Sequence, residues 1–110
     1  MIWKENVECA APADLRELQS GYLKKLIPYI YQNCAVYRRK LDAAGVTPDR
    51  IKSIDDIRRL PITTKDDMRD NYPYGLFSAS QDQIAEIHVS SGTTGNPTLV
   101  GYTRDDIKLW

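Results

Sequence analysis

Between Leu15 and Tyr29, apolar residues recur at steps of three and four, which places them on one face of an α-helix. The residues of this face are Leu15, Leu18, Tyr22, Leu26 and Tyr29. Pro12 suits the first helical turn, where a missing backbone N–H costs nothing. We therefore expect residues 12–44 to be helical, with this face packed against a core or a partner.

A proline interrupts that pattern. Pro28 removes a backbone donor and crowds the preceding turn, so we expect a kink or a break there. A second helical segment is predicted from about Val36 to Ala44. Gly45 follows it as a stop signal, because glycine adopts the left-handed conformation that ends many helices.

Short helices with capping residues are predicted next. Ser53 can cap one, with Asp56 reaching back to it, and Leu60-Pro61 should end it. Thr64 should cap another over about 65–70. The stretch 72–75, Tyr-Pro-Tyr-Gly, is typical of turns.

The character of the chain changes near residue 84. Residues 84–89 are rich in isoleucine and valine and predict a strand, and residues 98–102 predict a second. Thr103, with Asp106 three residues later, should cap a new helix. Two strands alone make a marginal hairpin, so we expect the natural chain to continue beyond Trp110.

The loop between these strands holds four hydroxyl side chains and two glycines. Its residues are Ser90, Ser91, Gly92, Thr93, Thr94 and Gly95. Glycine lets backbone N–H groups approach an anion, and hydroxyls add donors, so the composition suits the phosphates of a nucleotide. It is neither a Walker A loop nor a nucleophile elbow. On composition alone, a flexible hairpin loop is the alternative.

The exact string Ser-Ser-Gly-Thr-Thr-Gly-Asn-Pro-Thr over 90–98 resembles the phosphate-binding signature of the adenylate-forming superfamily. The lead-in Ile-His-Val at 87–89 and Val-Gly-Tyr-Thr at 100–103 narrow the resemblance to phenylacetate-CoA ligases and coenzyme F390 synthetases. Further upstream, Tyr-Arg-Arg at 37–39 and Asn-Tyr-Pro-Tyr-Gly at 71–75 also look like that family. The resemblance covers nearly the whole chain.

The resemblance implies a two-step reaction of Mg-ATP, a small carboxylic acid and CoA. The carboxylate attacks the α-phosphate to give acyl-AMP and pyrophosphate, and the CoA thiol then displaces AMP. Residues 90–95 would hold the β- and γ-phosphates, which stabilises charge on the leaving pyrophosphate. The other motifs of the family lie downstream, so no catalytic residue is assigned here, and the fragment alone is expected to be inactive.

The resemblance also implies a fold. The full-length enzyme would be α/β, with a large N-terminal and a small mobile C-terminal domain, and this chain would be helix-rich (α+β) with a C-terminal strand-loop-strand. We expect residues 1–75 to form a helical N-terminal segment and 76–110 to begin the adenylate-forming domain. The chain departs from the family beside the loop's proline, where relatives usually carry a lysine and this chain has Asn96 and Thr98. That departure should weaken ATP binding.

Single residues outside the loop have two interpretations each. His88 could contact substrate or nucleotide, or merely satisfy its hydrogen bonds within a strand. The four tyrosines of the helical region could stack on bases, but their spacing favours packing; they are Tyr22, Tyr29, Tyr31 and Tyr37. The basic run 38–40 is typical of a solvated helix face. Cys34 is expected to be a small buried residue.

Composition limits the other classes of function. The formal net charge is zero, which predicts no nucleic-acid partner. The two cysteines and the one histidine form no metal-binding pattern, so no metal site is predicted in the chain. The N-terminus has no apolar leader and no apolar run approaches a membrane span of ~20 residues. We expect a cytoplasmic protein without a membrane partner.

Two alternatives to a ligase segment remain open. Residues 1–75 could be a stand-alone helical interaction module with a vestigial loop, which the missing lysine favours. The chain could also be a small nucleotide-binding protein, although adenine and ribose contacts are not evident. Exposed strand edges and apolar surface should favour pairing with another chain, so a homo-oligomer is a further expectation.

Overall fold

The computed structural model describes residues 1–91 and 95–110. Within these ranges the chain is helix-rich with one two-stranded antiparallel sheet, as the sequence predicts. The elements are α1 (Glu5–Glu8), α2 (Pro12–Asn33), α3 (Ala35–Ala43), α4 (Lys65–Asp70), β1 (Ile84–Ser90), β2 (Thr98–Thr103) and α5 (Arg104–Leu109). Short 3₁₀ segments lie at Pro48–Arg50, Ile54–Arg59 and Gln81–Gln83. None of the helices described is both long and apolar enough to span a membrane.

Helix α2 continues through Pro28, so of the predicted kink or break the break is wrong, and the kink stays a prediction. The helix ends instead at Cys34, whose backbone is extended (φ −128°, ψ 109°) and which also precedes α3. Leu23 and Ile27 are buried in the turn before the proline, and Ile30 packs on the same core after it. Tertiary packing on both sides of Pro28 therefore outweighs one lost backbone hydrogen bond.

The core lies on a face of α2 next to the predicted one. Leu23 and Ile27 are 7% and 2% exposed. Tyr22 and Leu26, one residue earlier in each case, are 60% and 51% exposed. The buried cluster is Leu23, Ile27, Leu41, Val46 and Ile51. The expected face therefore does not pack on this core, because α3 and the 3₁₀ segments contact α2 from the neighbouring side.

The end of α3 is built as the sequence predicts. Gly45 has a φ of +65°, a conformation that side chains disfavour. The N–H of Gly45 bonds to the carbonyl of Asp42 at 3.0 Å, and the N–H of Val46 to that of Leu41 at 2.9 Å. This pair of bonds is the Schellman arrangement, and it carries Val46 back into the core.

Reciprocal caps start three of the later elements at the predicted residues. Thr64 and Asp67 cap α4, Thr103 and Asp106 cap α5, and Ser53 and Asp56 cap a 3₁₀ segment. The predicted helix after Ser53 is thus a tighter 3₁₀ turn, and it ends at Leu60 as expected. The expected turn at 72–75 is present, with a cis peptide bond between Tyr72 and Pro73.

The two strands pair from Ile84 opposite Thr103 to Ser90 opposite Thr98. Each is one residue longer than the sequence predicts. An irregularity between Ile84 and Glu86 shifts the register near the start of β1. A Cβ placed on Gly101 would lie 2.5 Å from the Phe77 ring. Glycine in β2 thus lets the segment before the sheet pack closely on it.

Candidate functional site

The predicted phosphate loop joins the paired ends of the hairpin. Ser90 is the last residue of β1, and the exposed Ser91 follows it. Gly95 has a φ of +120°, which only glycine adopts without strain. Gly92, Thr93 and Thr94 lie outside the described residues. The described part of the loop therefore offers two hydroxyl groups and a glycine turn at an exposed sheet end.

The entrance of the loop contains a contact between two hydroxyl groups. Ser90 and Thr98 face each other across the sheet, and their side-chain oxygens lie within hydrogen-bonding distance. Ser90 is exposed, whereas Thr98 is only 8% exposed. From the sequence, Thr98 is notable only as a position without the family's lysine, so its burial opposite Ser90 is a finding of the structure.

His88 lies on the same face of β1 as Ser90, because side chains two residues apart share a strand face. Its Nε2 lies 3.2 Å from a carboxylate oxygen of Glu86. The ring packs edge-on against Tyr102, with centroids 5.0 Å apart, and lies 5.3 Å from the Trp110 ring. The structure thus shows that His88 has a hydrogen-bond partner and aromatic contacts within and beside the hairpin. It leaves the predicted substrate contact untested.

Two aromatic residues beside His88 have no functional role predicted from the sequence, although one of them belongs to the string at 100–103. Tyr102 and Trp110 stack at a centroid distance of 5.4 Å with an interplanar angle of 13°. One comes from β2 and the other follows α5, so periodicity within either element could not bring them together. Trp110 is 78% exposed, and this aromatic cluster is an open surface beside the hairpin.

A cavity of about 430 Å³ lies on the other side of the hairpin, where it meets the helical part. Its walls combine apolar groups with tyrosine hydroxyls and include Tyr29, Tyr37, Met68, Phe77, Ile84 and Leu99. The Tyr29 hydroxyl donates to the Ser78 carbonyl at 3.1 Å, and the Thr63 hydroxyl donates to the Tyr37 oxygen at 3.4 Å. Both tyrosines therefore hold the walls together, which favours the packing role over base stacking.

The basic run 38–40 is more than a solvated face. Arg38 donates to the carbonyls of Tyr31 and Gln32, both at 2.8 Å, and so satisfies acceptors at the end of α2. Lys40 pairs with Asp67 at 2.5 Å. The Lys40 ammonium and the Thr64 N–H hold the pKa of the Asp67 carboxyl below its usual range. These charges connect helices.

Other shifted groups also belong to the helical part. The hydrogen bond from the Tyr31 hydroxyl to Asp42 raises the pKa of that tyrosine. Backbone N–H groups of Lys52 and Ser53 lower the pKa of Asp56. Cys34 is buried as expected, at 1% exposed, and Cys9 is exposed, both as free thiols. Across 1–91 and 95–110, no three His, Cys, Asp or Glu side chains gather as a metal site would require.

No family model matches the chain. Curated proteins do match it. The phenylacetate-coenzyme A ligase of Escherichia coli K12 is 49% identical over 104 residues, which cover 94% of this chain and 24% of that protein. The enzyme of the same name from Thermus thermophilus is 44% identical over 110 residues, which cover all of this chain and 25% of that protein.

Solved structures agree with the sequence matches. A 2-hydroxyisobutyryl-CoA ligase in complex with 2-HIB-AMP and CoA superposes with a TM-score of 0.80 at 32% identity. The superposition covers 87% of this chain and 21% of that one. The same ligase in its postadenylation state, with 2-HIB-AMP, superposes with a TM-score of 0.76. The chain therefore spans about a quarter of the curated relatives, and over nearly its whole length it is similar to phenylacetate-coenzyme A ligases.

Proposed function

We propose that this chain supplies the phosphate-binding segment of an ATP-dependent acid–thiol ligase. The intact enzyme activates a carboxylic acid as an acyl-AMP and transfers the acyl group to CoA. The observation that carries the proposal is 49% identity to a phenylacetate-coenzyme A ligase over 94% of the chain. The acyl-AMP and CoA held by the solved 2-hydroxyisobutyryl-CoA ligase support both steps.

The hairpin loop is the part of this chain that acts in the first step. The Ser90 and Ser91 hydroxyls donate to oxygens of the β- and γ-phosphates, and Gly95 lets the backbone turn closely around them. Gly92, Thr93 and Thr94 share this role by their place in the motif. As the acid's carboxylate attacks the α-phosphate, negative charge grows on the departing pyrophosphate. Donors already aimed at that charge lower the barrier.

Magnesium enters this proposal as part of Mg-ATP. It neutralises charge on the phosphates, and its protein ligands come from parts of the enzyme outside these 110 residues. His88 is a candidate contact for the nucleotide or the acid, because it lies two residues before the loop on the face of Ser90. Residues 1–75 form the helical support of this segment, and 76–110 carry the nucleotide-binding hairpin.

The test is ATP–pyrophosphate exchange by the intact protein with a panel of aryl-acetic and short aliphatic carboxylic acids. Exchange that depends on one class of acid, followed by CoA-dependent release of AMP, is the expected result. Gly92→Ala and Thr94→Ala should raise the KM for ATP, while Arg39→Ala, an exposed change in α3, should not. Absence of exchange with every acid, from a protein whose helical content and thermal unfolding are intact, would favour the interaction module instead.

A further inference from the structure

The entrance to the phosphate loop is closed by side chains as well as by backbone pairing. Ser90 and Thr98 are the last cross-strand partners in the hairpin register. Their hydroxyl oxygens are within hydrogen-bonding distance of each other. Between them lie residues 91–97, a connection longer than the two to five residues of most hairpin loops.

The two partners of this contact differ in burial. Among the residues that the structure describes, Thr98 is the polar residue that is buried, at 8% exposed. A buried hydroxyl without a partner is costly, so this group must be hydrogen-bonded. At this low exposure Thr98 has little access to water. Ser90, by contrast, is exposed and can find other partners.

We propose that Thr98 is a positioning residue for the phosphate loop: its hydroxyl donates to the Ser90 oxygen and leaves the Ser90 proton free for a phosphate oxygen. The inference rests on the proposed function, since it concerns the same loop. A hydroxyl can donate once and accept twice. Accepting from Thr98 therefore orients Ser90 and strengthens it as a donor without consuming its proton.

The second effect of this contact is to fix the loop before ATP arrives. Groups whose positions are set before binding lose less conformational freedom when phosphate arrives, and binding is then stronger. A side-chain bond at the first and last residues shortens the free connection and holds its direction. Thr98 thus acts through Ser90 on ATP affinity. It has no direct effect on the carboxylic acid.

Three variants of the intact protein test this role by ATP–pyrophosphate exchange. Thr98→Val keeps the shape but removes the hydroxyl, and Thr98→Ser restores the donor. Val100→Thr, two residues along the same strand face, is the matched control. We expect Thr98→Val to raise the KM for ATP about fivefold, as the loss of one ordinary hydrogen bond would. The KM for the acid should be unchanged, and Thr98→Ser should stay within about twofold of wild type for ATP.

Amide hydrogen exchange supplies a readout that does not need activity. Thr98→Val should speed exchange at the ends of β1 and β2 relative to wild type and to Val100→Thr, with the helical segment unchanged. Equal KM values for ATP in Thr98→Val and an active wild type would overturn this inference alone. So would a Thr98→Val protein in which both KM values rise together or exchange is unaltered. An inactive wild type would instead remove the proposed function, and this inference with it.

Discussion

Asn96 lies beside Pro97, and the resemblance to phenylacetate-CoA ligases leads us to expect a lysine on one side of that proline. The described loop residues, Ser90, Ser91 and 95–97, bear no positive side chain. Hydroxyl and backbone donors are weaker partners for phosphate than an ammonium group is. This composition leaves two alternatives. Either a cation reaches the phosphates from elsewhere in the intact enzyme, or the affinity for ATP is lower.

Asn96→Lys should lower the KM for ATP about tenfold in the intact protein, since a charge-assisted hydrogen bond to phosphate contributes about 1.5 kcal/mol at the low end of its range, as suits an exposed position. Asn96→Gln is the uncharged control and should leave the KM for ATP unchanged. The gain should shrink as salt is raised, because Asn96 is exposed and exposed charges are screened. Equal KM values in the lysine and glutamine variants would show that the site already has its cation.

Helix α2 shows at the level of an element what patterning determines and what it leaves open. The spacing of apolar residues by three and four identifies the helix and the tyrosines on it, and Pro12 marks its start. The buried face is offset by one residue, because the tyrosines of the apolar stripe can remain exposed while α3 covers Leu23 and Ile27. Caps were predictable to the residue, since Thr64 and Asp67 interact within four positions. The His88–Trp110 contact was not, because it joins separate elements.

The offset of the buried face gives a direct comparison of neighbouring residues in the 110-residue chain. Ile27→Ala should lower the free energy of unfolding by about 2–5 kcal/mol, because it leaves a cavity in the core. Leu26→Ala is the matched change one position away, on a side chain that is 51% exposed, and should cost well under half as much. Urea denaturation measures both. A larger loss of unfolding free energy from Leu26→Ala than from Ile27→Ala would show that the face predicted from spacing is the buried one.

The contact between α3 and α4 depends on pH through Asp67. Its carboxylate accepts from Lys40 at 2.5 Å and from the Thr64 N–H at 2.7 Å, and its pKa is lowered from the ordinary 3.8. A lowered folded-state pKa contributes stability that is present above the unfolded pKa and is lost as pH falls through the folded value. The contribution of Asp67 is therefore complete near neutral pH and disappears below about pH 4.

Thermal unfolding of the 110-residue chain between about pH 2.5 and pH 7 tests this dependence. Asp67→Asn should lower the Tm at neutral pH, and its Tm should converge on that of wild type in acid. The exposed Asp70, in the same helix, provides the control: Asp70→Asn should change the Tm little at neutral pH. If the difference in Tm between wild type and Asp67→Asn stays constant across this pH range, the effect is due to side-chain shape and not to charge.

At the scale of the whole molecule, the chain combines a packed helical part with large exposed apolar groups. Ile62 is 82% exposed and Leu109 67%, and the Trp110 ring is open beside the hairpin. The chain spans about a quarter of its curated relatives. The fold of these residues was predictable because caps, spacing and turn chemistry are local. The proposed nucleotide site is not local, since the proposal places the adenine and ribose contacts outside these residues.

The 110 residues as an isolated polypeptide should therefore bind Mg-ATP far more weakly than the intact enzyme. Hydrogen bonds to the phosphates would have to offset the whole entropic cost of association, because no adenine or ribose contact contributes. Isothermal titration should show no heat at millimolar Mg-ATP for the isolated chain and micromolar binding for the intact protein. Micromolar binding by the isolated chain, abolished by Gly92→Ala and Thr94→Ala, would mean that the hairpin loop is a nucleotide site in its own right.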